Sequence, residues 1–499
     1  MRRAYKAVPR PSSSSFMIQI FKMSMDREIV LRTKLHQLEC HFTWALTKAD
    51  IDLPKVLNSL EEQLKLDLGK NKALARAYSA LAYVKFLEGF QEEALNNLMT
   101  SVKLYIEYHE EEIHKTLIVT YGNLAWLNYH MKNYTECESY LQKLQMINER
   151  YATEAASVSV VLGEKGWTFL RLSYKYYERA KECFKKGLEL EPEDSECNAG
   201  YAIALFRTEI EDFTIKNSPT IKQLRRAIDT NPDDDVLNVL LAMRLVIYKK
   251  YDEAGILVEK ALERSPDHPH VMRYVGKFFR IKGCFDRSIA LLSKALEQSP
   301  NSSVIHHQLA FCYKIKKIQL LQEGNHHTET SQVQQIRDQI IYHLEKATTH
   351  APYFITAMSD LALHYGERRE ISRAEELFQK AFQTAKEKNY DLYLVSFYYA
   401  EFQLHCKRCE ALAIEHYMQC LKLCPDSPEG KRSYYRLKKI AEKRIRKNTQ
   451  DGEAYAILGL LHKEKGKNRQ AIECYEKALS YVDNDEYLRN LCDIKMSIQ

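Results

Sequence analysis

Alanines and prolines recur along this chain at a spacing that fits a narrow set of folds. Pro266 and Pro300 differ by 34 in number; Ala254 and Ala261 precede the first, and Ala295 precedes the second. A period of this length is typical of helical-hairpin arrays, in which each unit leaves an apolar face that only its neighbour covers. The chain of 499 residues also exceeds the roughly 250–300 residues at which a single core stops growing. Both features favour an elongated all-α array.

The segment Glu453–Ala478, EAYAILGLLHKEKGKNRQAIECYEKA, shows one unit in full. It fits the tetratricopeptide pattern, with small residues at Gly459, Ala471 and Ala478, where the two helices of a hairpin and the next hairpin approach closely. The pattern recurs in about nine or ten units between roughly residue 70 and residue 486. We therefore predict an all-α tetratricopeptide-repeat superhelical solenoid with a concave groove.

Composition and repeat phase predict four segments. Residues 1–30 are a basic, serine-rich extension that we expect to be disordered, and residues 31–222 hold the N-terminal repeats. Residues 223–424 hold the middle and pivot repeats, and residues 425–499 hold basic helices and the last repeat. The period is interrupted at 208–222 and at 319–337, and we expect 425–452 to form a hinge and an irregular pair of basic helices.

The composition excludes several classes of protein. A net charge of +6 is too small to make the whole chain an anion binder, so any such site must come from local clustering. No stretch approaches the roughly 20 apolar residues of a membrane span, and the run Phe16–Phe21 is too short for a signal peptide. We therefore expect a cytoplasmic protein whose 12 cysteines are reduced.

One helix is predicted to carry several cations on a single stripe. Within MRYVGKFFRIK, Arg273, Lys277 and Arg280 are spaced by four and three residues, so they share the face that this repeat turns towards its groove. Like charges on one face repel each other, which favours an anion between them, although a solvated helix face is the alternative. The next unit places His307, Phe311 and Lys314 on this stripe, and the preceding unit places Val236, Val239, Met243 and Val246 there.

Several segments go beyond the generic repeat pattern. They are CHFTW (Cys40–Trp44), LAYVK (Leu81–Lys85), YGNLAWLNYHM (Tyr121–Met131), EKGWTFLRLSYKYYERAK (Glu164–Lys181), GYAIALFR (Gly200–Arg207), RYVGKFFR (Arg273–Arg280) and HHQLAFCYK (His306–Lys314). From Leu31 onward the chain thereby resembles the interferon-induced proteins with tetratricopeptide repeats. The resemblance implies an interferon-induced, cytoplasmic antiviral effector of innate immunity. Such a protein holds the 5′ end of single-stranded RNA, with a triphosphate or an incompletely methylated cap, in a central basic tunnel and withholds it from translation.

The resemblance also implies the residues of the site, each matched to a family motif. Arg207, Arg273 and Arg280 would hold the 5′ phosphates, with Mg²⁺ among the phosphates as the one implied ion. Trp167, Tyr177 and Ile203 would bracket the first base or a cap. Protein partners are implied as well, namely family members in homo- or hetero-oligomers and translation initiation factors. The full set of implied RNA-binding residues is Gln63, Trp167, Arg171, Tyr177, Ile203, Arg207, Arg273, Tyr274, Lys277, Arg280, His307 and Gln308.

Departures from the family pattern weaken the expectation of cap recognition. The stretch Lys65–Gly69 lacks the threonine of cap-binding members, and Val236 stands where the family has a pocket tyrosine. In the stretch Tyr399-Ala-Glu401-Phe402, the acidic Glu401 stands where the family has a basic residue. Triphosphate recognition is therefore better supported than cap recognition.

Weaker patterns remain open or point to no site. Cys406, Cys409, Cys420 and Cys424 have zinc-like spacing, but thiols are common packing residues in helical repeats, so we predict no metal site. The basic run from Lys438 to Lys447 fits a solvated helix face, a second RNA contact or a nuclear signal. His326-His327 lies in a polar loop and is expected to be solvated.

The chain contains no Gly-rich phosphate loop, nucleophile elbow or HExxH motif, so we do not expect an enzyme. The rival function is a tetratricopeptide-repeat protein-binding scaffold or co-chaperone adaptor. That use needs a clamp of Lys and Asn side chains for a peptide carboxylate. The inner stripe here instead alternates cations with bulky apolar and aromatic residues, which suits nucleotides better.

Overall fold

The computed structural model describes residues 27–65, 72–107, 113–151, 155–209, 214–323, 331–388 and 391–498. These residues form helices joined by short turns, and none of them lies in a β-strand, which confirms the all-α prediction. The predictions for residues 1–26, for most of the Lys65–Gly69 stretch and for His326-His327 lie outside the described residues.

The first helix begins earlier than the predicted boundary at residue 31. Residues 27–30 belong to a helix rather than to a disordered extension. Arg27 donates two hydrogen bonds, of 2.9 and 2.8 Å, to the carboxylate of Glu138, and Leu31 is buried in the core. This ion pair and the burial of Leu31 hold the first turn of the helix in place.

The chain forms two compact units, one through Cys312 and one from Tyr313. The division falls within a helix and coincides with neither of the predicted boundaries, at 222 and 424. The first unit contains α1 (27–35), α2 (Leu53–Lys65), α3 (Lys72–Glu88), α4 (Gln91–Glu107), α5 (Ile113–His130), α6 (Tyr134–Tyr151), α7 (Ala155–Leu172), α8 (Tyr177–Leu190), α9 (Ser195–Thr208), α10 (Pro219–Thr230), α11 (Asp235–Ile247), α12 (Tyr251–Arg264), α13 (Pro269–Lys282), α14 (Phe285–Gln298) and the first half of α15 (Ser303–Glu323), with 3₁₀ turns at Lys48–Asp50 and Tyr174–Tyr176.

The second unit continues the same succession of helical hairpins. It contains the rest of α15, α16 (Ser331–His350), α17 (Ile355–Glu367), α18 (Ile371–Lys388), α19 (Leu392–Phe402), α20 (Glu410–Leu423), α21 (Pro428–Lys447), α22 (Gly452–Glu464), α23 (Asn468–Tyr481) and α24 (Asp485–Ile498), with a π-helical turn at Gln403–Lys407.

The hairpin of α13 and α14 shows why the sequence folds in this way. Pro269 occupies the first turn of α13, where its missing N–H needs no partner. Gly283 ends the helix in the left-handed conformation, with φ 86°. A Cβ on Gly276 would come within 2.7 Å of Leu292, so the two helices can approach this closely only with glycine there. The Ser288 hydroxyl donates to the Gly276 carbonyl at 2.7 Å and closes the contact.

The two predicted interruptions of the period differ in structure. The first falls between α9 and α10, where the carboxylate of Glu209 accepts hydrogen bonds from the Ser218 hydroxyl and the Thr220 backbone N–H. Arg244 pairs with the same carboxylate at 2.9 Å, so Glu209, at the end of α9, is anchored in the core. The second interruption is helical at both ends, because α15 extends to Glu323 and α16 begins at Ser331.

The expectation of an irregular pair of helices within 425–452 is wrong. The segment forms one continuous helix, α21, which Ser427 caps by accepting from the Gly430 backbone N–H. Pro428 occupies the first turn, and no proline follows it before the helix ends at Lys447. Because the leucine, isoleucine and alanine of α21 recur on one face, that face packs in the core along the helix.

Candidate functional site

Helix α13 packs its apolar face into the core, and its opposite face carries the half-buried Arg273, Lys277 and Arg280. On that face, the guanidinium of Arg273 lies 4.7 Å from the ring centre of Tyr274, and that of Arg280 lies 4.5 Å from the ring centre of Phe311 on α15. Lys277 lies between the two arginines along the helix. Contacts with aromatic rings order these long side chains without neutralising their charge.

Two further arginines come from α7 and α9. The guanidinium of Arg207, at the end of α9, lies 5.0 Å from the ring centre of Tyr177, and its Nη1 donates to the Leu170 carbonyl at 2.8 Å. The second of these arginines, Arg171, lies in the last turn of α7. Burial, together with the charges of Arg76 and Arg207, lowers the pKa of Arg171 to about 10.

The arginines of α9 and α13 act on the same neighbouring rings. Burial and the charges of Arg273 and Arg207 lower the pKa of His270 to about 3. Burial acts to raise the pKa of Tyr274, but the charges of Arg273, Arg207 and Lys277 outweigh it and lower the pKa. Arg207 on α9 and Arg273 on α13 therefore act electrostatically on the same two side chains, His270 and Tyr274.

These cations have no acid partners among the residues that the structure describes. Within the described part of the chain, no carboxylate oxygen lies within 4.0 Å of their nitrogens. Burial lowers the pKa of Lys277 and also that of Arg280. Like charges crowded in a half-buried site are unfavourable unless an anion joins them. We call this group the basic cluster: Arg171, Arg207, Arg273, Lys277 and Arg280.

Among the buried polar atoms without hydrogen-bond partners in the described part of the chain, three belong to predicted site residues. They are Nε1 of Trp167, Nε of Arg280 and Oε1 of Gln308. Buried polar groups normally find a partner. The indole and the guanidinium offer donors and the amide oxygen offers an acceptor, which suits a ligand with both kinds of polar atom.

The other predicted site residues lie on the same helices, with one exception. Ile203 packs with Trp167 against the core between α7, α9 and α11. His307 is half-buried on α15, one turn before Phe311. Gln63 is half-buried on α2 and forms no hydrogen bond with the basic cluster in the described structure.

The expected apolar section of the groove is wrong for most of its residues. Val239, Met243 and Val246 are buried in the core of the first unit, and only Val236 is half-buried. Neighbouring helices cover these side chains, because α11 is apolar on more than one face. Repeat phase alone cannot separate a groove position from a core position on such a helix.

One residue near the site was missed by the sequence analysis. Arg76 on α3 is only 8% exposed, and its guanidinium lies 5.3 Å from the ring centre of Trp167. The signal was present in the sequence, because Arg76 interrupts the apolar, alanine-rich stretch KALARAYSALAYV, where a cation needs a buried partner.

The second unit holds the basic run and the cysteine group. Lys438, Lys439 and Lys443 are exposed on α21, whereas Arg444 pairs with Asp451 at 2.7 Å. No group of three or more His, Cys, Asp or Glu side chains in the described ranges is arranged to hold a metal ion. None of the described helices combines the length and the apolar character needed to cross a membrane.

Comparison with known proteins first gives the class. The tetratricopeptide repeat family matches residues 171–194 and 452–481, which defines the chain as a tetratricopeptide-repeat protein and confirms the predicted solenoid class. The human antiviral innate immune response effector IFIT1 is 35% identical over 462 residues, covering 90% of this chain and 95% of the relative. Human interferon-induced protein with tetratricopeptide repeats 2 is 33% identical, covering 92% and 97%. The chain belongs to the family of interferon-induced proteins with tetratricopeptide repeats, as its motifs indicated.

Solved structures of relatives share the fold. A human IFIT1 dimer with PPP-AAAA has a TM-score of 0.77 at 33% identity, covering 91% of this chain and 100% of that one. A monomeric mutant of IFIT1 with Gppp-AAAA has a TM-score of 0.81 at 32% identity, with the same coverage. The two structures thus contain IFIT1 with a PPP-bearing and with a Gppp-bearing AAAA oligomer.

Proposed function

We propose that this chain is an antiviral effector that binds the 5′ end of single-stranded RNA carrying a triphosphate and withholds that RNA from translation in the cytoplasm. The observation that carries the proposal is the basic cluster, which gathers cations from three helices without acid partners in the described structure. A terminal triphosphate concentrates several negative charges within a few ångströms, so it matches such a cluster better than a single carboxylate does. The 5′-triphosphate RNA in the IFIT1 structure supports the same assignment.

The arrangement suggests a role for each group. Arg207, Arg273 and Arg280 would contact the 5′ phosphates, with Lys277 and Arg171 adding charge. Mg²⁺, if bound among the phosphates, would supply further positive charge there. Contacts of this kind read the end of the RNA and not its sequence, so binding should be tolerant of sequence and sensitive to salt.

Rings and amides nearby would hold the first nucleotides. Tyr177, which contacts Arg207, and Ile203 would pack against the first base, and the free Oε1 of Gln308 would accept from a ribose hydroxyl. His307 lies on the same helix as Gln308 and would contact the next sugar or phosphate. Gln63 would contribute from α2.

Binding, and not catalysis, is the proposed activity. The basic cluster supplies positive charge that stabilises a bound anion. A peptide-binding scaffold is not favoured, because the relatives with the same fold carry RNA. Family members, including a second copy of this chain, and translation initiation factors are proposed as protein partners.

A charge reversal tests the proposal. Arg207→Glu should weaken binding of a triphosphate RNA by about a hundredfold or more, because it places a negative charge against the phosphates. Lys222→Glu is the matched control, since Lys222 is an exposed cation on α10 of the same unit. Filter binding with triphosphate, monophosphate and capped RNA gives the affinities, and circular dichroism checks the fold. Equal loss in both variants, or no loss in Arg207→Glu, would contradict the assignment.

A further inference from the structure

Trp167 is the tryptophan best placed to meet a ligand. Trp44 and Trp126 are both buried, whereas Trp167 is half-buried and lies one turn before Arg171 on α7. Its ring meets the ring of Phe184 edge to face, with 5.4 Å between centres. A half-open indole beside a cation cluster is the kind of surface on which a nucleobase stacks.

A side chain of the protein already lies over this ring. The guanidinium carbon of Arg76 is 5.3 Å from the centre of Trp167, which places a flat, charged group against the indole. Arg76 is 8% exposed, and its neighbours Ala75 and Ala77 are fully buried, so α3 leaves it little freedom to turn elsewhere. A guanidinium of the protein therefore already occupies a position over the Trp167 ring, where a base would otherwise stack.

Two carboxylates hold Arg76 in this position. Its Nη2 pairs with Glu196 on α9, and its Nη1 lies 3.6 Å from Glu164 on α7. Glu164 in turn accepts a hydrogen bond from the Tyr105 hydroxyl at 3.3 Å. Moving Arg76 away from the ring would leave the buried Glu164 without its ion pair, which is strongly unfavourable.

Arg76 also differs from the basic cluster in its electrostatics. The cations of the cluster have no carboxylate within 4.0 Å among the described residues, whereas the charge of Arg76 is balanced by Glu164 and Glu196. A balanced arginine contributes little to anion binding. Its effect is on the shape and chemistry of the surface over Trp167.

We propose that Arg76 determines the specificity of this site by covering Trp167, so that RNA with a free 5′ triphosphate binds and RNA capped by an additional guanosine does not. This inference rests on the proposed function. A cap adds a guanine base beyond the triphosphate, and that base needs an aromatic surface on which to stack. A free triphosphate needs only the cations. Arg76 therefore removes the support for a cap and leaves the phosphate contacts intact.

The test compares two RNAs of one sequence, one beginning with a triphosphate and one with Gppp, on the full chain and on Arg76→Ala. Wild-type protein should prefer the triphosphate RNA by about tenfold or more, the value of one lost base stack. In Arg76→Ala, this preference should fall to within about threefold, mainly through a gain for the Gppp RNA. Equal affinity of the wild-type protein for both RNAs, or an unchanged preference in the variant, would overturn the inference.

Matched variants separate an uncovered ring from a loosened structure. Tyr105→Phe removes the hydrogen bond to Glu164 but leaves Arg76 over the ring, so the preference should remain. Arg76→Ala combined with Glu164→Gln avoids an unpaired buried carboxylate and should accept the Gppp RNA as Arg76→Ala does. A gain for Gppp RNA in Tyr105→Phe equal to that in Arg76→Ala would overturn the role of the covered ring.

The free dinucleotide GpppG gives a second readout. It should quench tryptophan fluorescence in Arg76→Ala and leave the wild-type spectrum unchanged. Binding of triphosphate RNA by each variant shows that the basic cluster is intact. Failure of the wild-type protein to bind either RNA would contradict the proposed function, and the inference with it; retained triphosphate binding with no quenching in the variant would overturn the inference alone.

Discussion

The half-buried cations of α13 in the first unit differ from two paired cations of the second unit in their acid partners. In the first unit, Arg273, Lys277 and Arg280 have no acid partner among the described residues. In the second, Lys314 lies 2.6 Å from Asp360, and the guanidinium of Arg436 donates two hydrogen bonds of 2.8 Å to Glu401. A paired cation stabilises the fold, whereas an unpaired one raises the free energy of the empty site and lowers that of a site holding an anion. The pairing of charges therefore separates scaffold from binding surface.

The density of basic residues does not make this distinction. Helix α21 has more lysines and arginines than α13. Yet Arg432 pairs with Glu429 and Lys438 pairs with Glu442. The other exposed lysines lie on the polar face of an amphipathic helix. A helix such as α13, whose cluster cations have no carboxylate within 4.0 Å among the described residues, is the better candidate for binding phosphate.

The largest expected effect is on stability, in the second unit. Asp360→Ala should destabilise that unit by about 3–5 kcal/mol, because it leaves the half-buried ammonium of Lys314 without its buried partner. Lys277→Met in the first unit should leave stability unchanged or slightly higher, since Lys277 pairs with no acid in the described ranges. Urea denaturation of both variants measures the difference. Comparable losses in the two variants would remove the distinction between paired and unpaired cations.

The pH dependence of stability gives a second comparison, between one carboxylate of each unit. Burial raises the pKa of Glu164 to about 7, so between its ordinary pKa of 4.5 and 7 the folded chain binds more protons than the unfolded chain. Stability from this group is present in full below pH 4.5 and is lost as the pH rises to 7, by at most about 1.4 kcal/mol per pH unit. Glu164→Gln should flatten the stability profile in that window.

Glu367 of the second unit should behave in the opposite sense. Burial acts to raise its pKa, but a hydrogen bond from His364 and the charge of Lys317, 2.9 Å away, lower it below the ordinary value. Its contribution is therefore present above pH 4.5 and is lost as the pH falls further. Thermal unfolding of Glu164→Gln and Glu367→Gln across pH 3 to 8 measures both profiles; changes in the same window and of the same sign would contradict the assignment.

Much of the fold could be predicted from the sequence because the residues that determine each helical hairpin lie within that repeat. Gly276 and Gly459 mark close helix approaches, and Pro269 marks a helix start, all within a short window of sequence. The basic stripe of α13 was predictable for the same reason, since residues spaced by three and four share a face. A local sequence pattern predicts structure well when the helix that a residue packs against is the next one in the chain.

What the sequence could not show depends on contacts between distant residues. The acids that hold Arg76 lie 88 and 120 positions further along the chain (164 − 76 and 196 − 76), on α7 and α9. The burial of Val239 and Met243 likewise depends on which helices cover α11. A single sequence shows on which face of a helix a residue lies, but it does not show which distant residue contacts it.

The smallest expected effect concerns salt, and it decides what α21 does. If Arg273 contacts a phosphate, Arg273→Gln should make the slope of log affinity against log salt shallower by about 0.7, the value for one contact to a single strand. Lys443→Gln on α21 should leave the slope unchanged for a four-nucleotide triphosphate RNA and for a longer one. A shallower slope with the longer RNA alone would show that α21 contacts the strand downstream of its 5′ end. Exposed lysines would then bind RNA without being gathered in a cluster, and the absence of acid partners would mark only the site that reads the 5′ end.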